Sequence, residues 1–203
     1  MSDFKFQSVN KQLEESFRKN WERPALSNYQ GITLSYKDVA RRIEKLHIAF
    51  ERCFLHKGDK VAICARNQVN WGVSFLATMT YGAVCVPILH EFKSGNIHYL
   101  VNHSGSKVLF VDAVVQINTF KLLYARNERI VESREHMNEY FGKRHPNSFE
   151  PENICYYKDS ANELALINYT SGTSGFSKGV MIPYRALCSN IQFAKHVLPE
   201  LND

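Results

Sequence analysis

Three short apolar runs, VAICA (61–65), AVCVPIL (83–89) and VLFV (108–111), constrain this chain more than any other feature. None alternates with polar residues, so as strands they would be apolar on both faces and would need cover on both. Between the first two runs lies a nearly all-apolar stretch from Val69 to Tyr81, closed by Gly82. Between the second and third lies a stretch that starts at Ser94, carries Ile97, Leu100 and Val101, and closes at Gly105. Each is long enough for a helix, and glycine readily takes the left-handed conformation that ends one. Ser94 is the expected N-cap of the second helix. Strand, helix, strand, helix, strand in that order predicts neighbouring, mostly parallel strands joined by right-handed crossovers. The fold class expected is α/β, a mostly parallel sheet layered with helices.

The flanking segments fit around that centre. Leu13, Phe17 and Trp21 mark one face of a short helix, and a turn at Asn28–Gly31 leads into ITLSY, which alternates like a strand. Ser35 and Asp38 have capping-box spacing. After them Val39, Ile43, Leu46, Phe50 and Cys53 recur at steps of four and three, which predicts an amphipathic helix stopped near Gly58. Beyond the third apolar run a helix is expected near residues 116–126. The polar stretch 142–163 reads as a surface connection, ELALINYT (163–170) as a strand, and 183–197 as a final helix.

Composition excludes several functions. With 203 residues the chain can bury a core without disulfides or metal. Its five cysteines (Cys53, Cys64, Cys85, Cys155, Cys188) are scattered with no CxxC pair, so they are expected reduced, within the core, in a cytoplasmic protein. No apolar run is long enough to span a bilayer, and the polar opening is no signal peptide. No transmembrane segment is expected, while contact with a membrane surface stays open. The net charge of +5 comes from 25 basic residues interleaved with 20 acidic ones. Nucleic acid wants a one-signed patch, so no nucleic-acid partner is expected. His98 and His103 are off the i, i+4 spacing of a helical metal pair and read as surface or capping residues, and no metal site is expected. Tyr36, Trp71 and Tyr81 read as packing residues, and Asp112 as structural.

Chemistry concentrates in one segment, YTSGTSGFSKGVMIPYRAL (169–187). Of ten glycines in the chain, Gly172, Gly175 and Gly179 fall together, among Thr170, Ser171, Thr173, Ser174, Ser177 and Lys178. Glycines allow successive backbone N–H groups to face one concavity, a nest for an anion. The hydroxyls add donors, and Lys178 adds a full charge on a flexible stem, suited to phosphate oxygens. A strand before the loop would place it at the carboxyl edge of the sheet, where open α/β folds bind ligands. It is not a Walker loop, because Lys178 follows Ser177 and precedes Gly179. It is not a dinucleotide fingerprint either, because the turn after VAICA contains no glycine. The residues alone leave two readings: a phosphate-binding loop, or a plain hairpin turn with an exposed lysine.

The same segment resembles the signature YTSGTTGxPKGV of the adenylate-forming superfamily, which includes acyl-CoA synthetases, luciferases and peptide-synthetase adenylation domains. Ser174 replaces the second threonine and Ser177 the proline, and Tyr184 stands where histidine is common. LSYKDVARRIEKL, GDKVAICARNQVNWGVSFLATMTYGAVCVPI and VNHSGSKVLFVD are similar to the family's earlier blocks, in the family's order. The VPILHEF and GFSKGVMIPYR stretches most resemble bacterial long-chain fatty-acid CoA ligases.

The resemblance implies the fold of the N-terminal portion of an acyl-CoA synthetase. It also implies a two-step reaction: ATP and a fatty acid give an acyl-adenylate and pyrophosphate, then the CoA thiol displaces AMP. Thr170, Ser171, Gly172, Thr173, Ser174, Gly175 and Lys178 would bind ATP, with Mg2+ between the phosphates. Residues 1–203 would then be a partial N-terminal AMP-binding domain ending shortly after the loop at 169–180. The remaining catalytic residues would lie beyond Asp203, leaving the piece inactive by itself. Two other readings stay open: an adenylating enzyme with another acceptor, peptide-synthetase or luciferase-like, and a catalytically dead interaction domain.

Overall fold

A computed structural model describes residues 5–112, 114–115, 134–170 and 177–198. Its first helix, α1 (Val9–Lys19), buries Phe17. The hairpin that follows joins β1 (Pro24–Ser27) to β2 (Thr33–Ser35) around the expected turn, where the Asn28 N–H donates to the Ile32 carbonyl over 2.9 Å. Next, α2 (Tyr36–Arg52) starts on the expected capping box: the Asp38 N–H donates to Ser35 Oγ (3.2 Å) and the Ser35 N–H donates to Asp38 Oδ2 (3.1 Å). This helix stops well before Gly58. Phe54 turns left-handed (φ 54°) and the Leu55 N–H closes onto the Phe50 carbonyl, which leaves Gly58 for the later turn into the sheet.

The central alternation is as the apolar runs predict. The order is β3 (Lys60–Cys64), α3 (Val69–Tyr81), β4 (Val84–Pro87), α4 (Ser94–Ser104) and β5 (Ser106–Val111). Gly82 (φ 84°) and Gly105 (φ 66°) end the two helices in the left-handed conformation. At the start of α4 the cap is Lys93, not Ser94. Lys93 is the extended residue, Ser94 is already helical, and no side chain caps this end. The chain continues through α5 (Arg134–Arg144), a 3-10 turn at Pro151–Asn153, β6 (Leu164–Thr170), β7 (Lys178–Pro183) and α6 (Tyr184–Val197).

The five-stranded sheet has the order β5-β3-β4-β6-β7, parallel except for the antiparallel β6–β7 pair. One face (Ala62, Cys64, Val84, Val86, Ile167) packs on Ile97, Leu100 and Val101 of α4. Ile63, Cys85 and Ala165 of the other face meet α1, α3 and α6 through Val9, Met79, Tyr184 and Cys188. Beside them, α2 and α3 pack on Val61. Covering both faces is what made the strands wholly apolar.

Three expectations need correction. Residues 142–163 are more than a surface connection, because Phe149, Ile154 and Asp159 are buried. His98 is buried, not a surface residue. All five cysteines are free, but Cys155 is exposed and Cys53 half-buried, so only Cys64, Cys85 and Cys188 are core thiols. Burial pushes the Cys64 thiol up to about 11. The helix expected near 116–126 lies outside the described residues. Among the described residues no helix is long and apolar enough to cross a membrane.

Candidate functional site

The glycine-rich segment is held by the β6–β7 hairpin. Thr170 pairs with Lys178, and Tyr169 with Gly179, as the last rungs before the loop. Both Thr170 and Lys178 are exposed. Since β6 runs parallel to β4, it delivers them to the carboxyl edge of the sheet, where the sequence placed them. Ser171, Gly172, Thr173, Ser174 and Gly175 lie outside the described residues. Of the predicted loop ligands, the structure therefore brings together Thr170 and Lys178.

Packing explains one glycine here. A Cβ on Gly179 would lie 3.1 Å from Ile167 Cγ2 and 3.2 Å from Tyr169 Cε1. Its absence lets the Tyr169 ring lie across the opposite strand. The Tyr169 hydroxyl sits 2.8 Å from Nδ1 of His103, on α4, with the rings edge-on at 5.8 Å. The Tyr99 ring also packs on His103, with ring centroids 5.5 Å apart. Partial burial, helped by Tyr99, raises the pKa of the Tyr169 phenol, so it stays protonated at neutral pH.

Tyr184, aligned with a histidine of the signature, is enclosed in the core. Its hydroxyl donates to the Met79 carbonyl over 3.0 Å, and Asn10 Nδ2 donates to the same oxygen over 3.0 Å. It fastens α6 to α3.

Elsewhere along the carboxyl edge, Arg66 Nε donates to Asp112 Oδ2 over 2.9 Å, and this bond holds the Asp112 carboxyl below the usual carboxylate range. The Asp112 N–H reaches the Cys64 carbonyl, so this residue ties the ends of β3 and β5 together, a structural role as expected. A cavity of about 290 Å³ opens beside the pair, with Trp71 on its wall. Trp71 is stacked on Phe75 at 5.3 Å. A larger cleft, about 380 Å³, is lined by Glu44, His47, Glu51, Arg144, His145 and Cys155 among others, with no residue of the hairpin. There Arg144 spans Glu44 and Glu51, so the charges are already paired. Among the described residues no three His, Cys, Asp or Glu side chains gather to hold a metal ion.

Sequence reasoning missed two arrangements. Asp159 accepts from Ser8 Oγ (2.6 Å), the Val9 N–H (3.0 Å) and the Asn10 N–H (2.9 Å), placing a carboxylate on the N-terminus of α1. The contact between His103 and Tyr169 was missed as well. No local pattern signals either, because the partners are distant in sequence.

Comparison with known proteins agrees with the geometry. A family model described as AMP-binding enzyme matches residues 13–202. Surfactin synthase subunit 2 of Bacillus subtilis is 25% identical over 192 residues, which cover 93% of this chain and 5% of that protein. Long-chain-fatty-acid–CoA ligase 5 of Rattus norvegicus is 27% identical over 197 residues, covering 82% of this chain and 27% of the ligase. The N-terminal subdomain of Klebsiella oxytoca NpsA, solved in complex with anthranilyl-AMSN, superposes with a TM-score of 0.65 at 24% identity, over 91% of this chain and 43% of that one. The chain thus spans far less than two thirds of these relatives. The sheet and its helices match the N-terminal subdomain of adenylation-domain structures.

Proposed function

Since the chain belongs to the AMP-binding enzyme family, we propose that it is the N-terminal part of an enzyme that joins a carboxylic acid to AMP from ATP, and that its β6–β7 loop grips the departing pyrophosphate. The observation that carries this is the pairing of Thr170 with Lys178 at the carboxyl edge of a parallel sheet, with the glycine-rich segment between them. A carboxylate oxygen attacks the α-phosphorus, the bond from phosphorus to the bridging oxygen breaks, and negative charge grows on pyrophosphate. Hydroxyls, backbone N–H groups and one ammonium suit that leaving group because the charge they meet increases towards the transition state. Thr170, Ser171, Gly172, Thr173, Ser174, Gly175 and Lys178 are the proposed ligands. With no three His, Cys, Asp or Glu side chains gathered to hold a metal ion among the described residues, a magnesium ion here would be carried chiefly by the phosphate oxygens, its usual manner in nucleotide sites.

For the acid we favour a long-chain fatty acid, with CoA thiol as the acceptor that displaces AMP. The VPILHEF and GFSKGVMIPYR stretches support this, as does the similarity to the rat ligase. An amino acid activated in a peptide synthetase is the second reading, favoured by the similarity to surfactin synthase. By itself the 203-residue chain would bind polyphosphate weakly. A few charge-assisted hydrogen bonds of about 1.5–3 kcal/mol each, offset by ordering the loop, leave an affinity on the order of millimolar. The test is ATP–pyrophosphate exchange by the longer polypeptide carrying this chain, with a long-chain fatty acid and with a panel of amino acids. Exchange driven by the fatty acid, followed by thioester formation with CoA, is expected. Exchange driven only by an amino acid overturns the fatty-acid assignment, and no exchange with any acid overturns the adenylating reading.

A further inference from the structure

We propose that His103 and Tyr169 are positioning residues that hold the two roots of the phosphate loop in register; this rests on the polyphosphate reading above. Tyr169 immediately precedes Thr170, and Gly179 immediately follows Lys178, so these two proposed ligands are each one peptide away from the Tyr169–Gly179 rung. The Tyr169 ring links three elements at this point. It projects from β6, lies against the bare Cα of Gly179 on β7, and reaches Nδ1 of His103 on α4. The phenol either donates to a bare Nδ1 or accepts from Nδ1–H, and both arrangements fix the hydroxyl at the same place.

β7 is otherwise poorly anchored at this end, because Lys178, Gly179, Val180 and Met181 are all exposed. An edge strand with so little burial belongs to the low-stability part of a fold and opens readily. A ring pinned at its far end by α4, which is itself buried against the sheet through Ile97, Leu100 and Val101, passes the rigidity of the core to the open end of the hairpin. The consequence is functional. If the roots are fixed before the ligand arrives, less ordering entropy opposes binding. Without the pin the same hydroxyls and ammonium are present but their spacing wanders.

The test uses the 203-residue chain and inorganic pyrophosphate, titrated by phosphorus NMR, together with amide hydrogen exchange across the hairpin. The variants are Tyr169→Phe, which keeps the ring and removes the hydroxyl, His103→Leu, His103→Asn, whose side-chain amide can stand in for Nδ1, and Lys178→Ala. Tyr169→Phe and His103→Leu are each expected to weaken pyrophosphate binding about fivefold, the worth of one net hydrogen bond. Exchange at Lys178–Val180 should quicken by a similar factor, while amides of β3 stay at the wild-type rate. His103→Asn should recover both. Weaker binding in Lys178→Ala, with wild-type binding and exchange in Tyr169→Phe, overturns the positioning role and leaves the phosphate reading standing. A wild-type chain that binds no pyrophosphate at millimolar concentration overturns the phosphate reading, and the positioning role with it.

Discussion

Acid should weaken this fold through one buried imidazole. His47 lies on the inner side of α2, 7% exposed. Its Nε2 sits 3.1 Å from the Ala77 carbonyl and 3.1 Å from Thr80 Oγ1, whose hydroxyl donates to the Leu76 carbonyl over 2.7 Å. A carbonyl only accepts, so Nε2 carries a proton, and burial of the ring keeps Nδ1 bare and the imidazole neutral at pH 7. Burial is the largest influence and lowers the pKa to about 4; Glu44 and Glu51 oppose it, and Arg144 reinforces it. The folded value lies below the unfolded value near 6.5, so the stability this neutral ring confers is complete above about pH 6.5 and is lost as pH falls towards 4. Each pH unit inside that window is worth about 1.4 kcal/mol, and the fall from about pH 7 to about pH 4.5 removes about 2 kcal/mol. Urea unfolding followed by tryptophan fluorescence at a series of pH values should show the wild type losing that much more than His47→Gln over the same interval. Parallel stability–pH curves for the two proteins would refute the reasoning.

Two further outcomes are expected. Asp159→Ala leaves two backbone N–H groups at the start of α1 without the acceptor they now share with Ser8 Oγ. It should cost about 3 kcal/mol, which at this chain length lowers Tm by roughly 6–12 °C; a loss under about 1 kcal/mol by calorimetry would contradict the capping role. In thiol labelling of the native chain, exposed Cys155 should react first, and Cys64, Cys85 and Cys188 only after denaturation; fast labelling of the buried three would contradict the packing described.

The sheet was legible because covering both faces removes polar residues from whole strands, leaving the unbroken runs at 61–65, 83–89 and 108–111. Gly82 and Gly105 marked helix ends because a left-handed residue was needed at each. β1 was not legible, since PALS is half-buried at two positions, exposed at two, and has no periodic signature. The stretch 142–163 looked like surface because its polar residues outnumber the few that anchor it. Its buried carboxylate, Asp159, meets Ser8 across 151 residues of sequence, and no local spacing encodes such a contact. At the site, Thr170 and Lys178 stood out because clustered glycines, hydroxyls and one lysine are uncommon together. The contact between Tyr169 and His103 spans 66 residues and became visible only when α4 was laid on the sheet.

The central claim is that Lys178, paired across the hairpin from Thr170, meets the charge that develops on pyrophosphate. The most direct measurement is ATP–pyrophosphate exchange by the longer polypeptide carrying this chain, wild type against Lys178→Ala, with binding of the carboxylic acid measured alongside. Loss of a group that acts on developing charge should slow exchange on the order of 10²-fold while leaving acid affinity within about twofold of wild type. Exchange at the wild-type rate in Lys178→Ala would contradict the account.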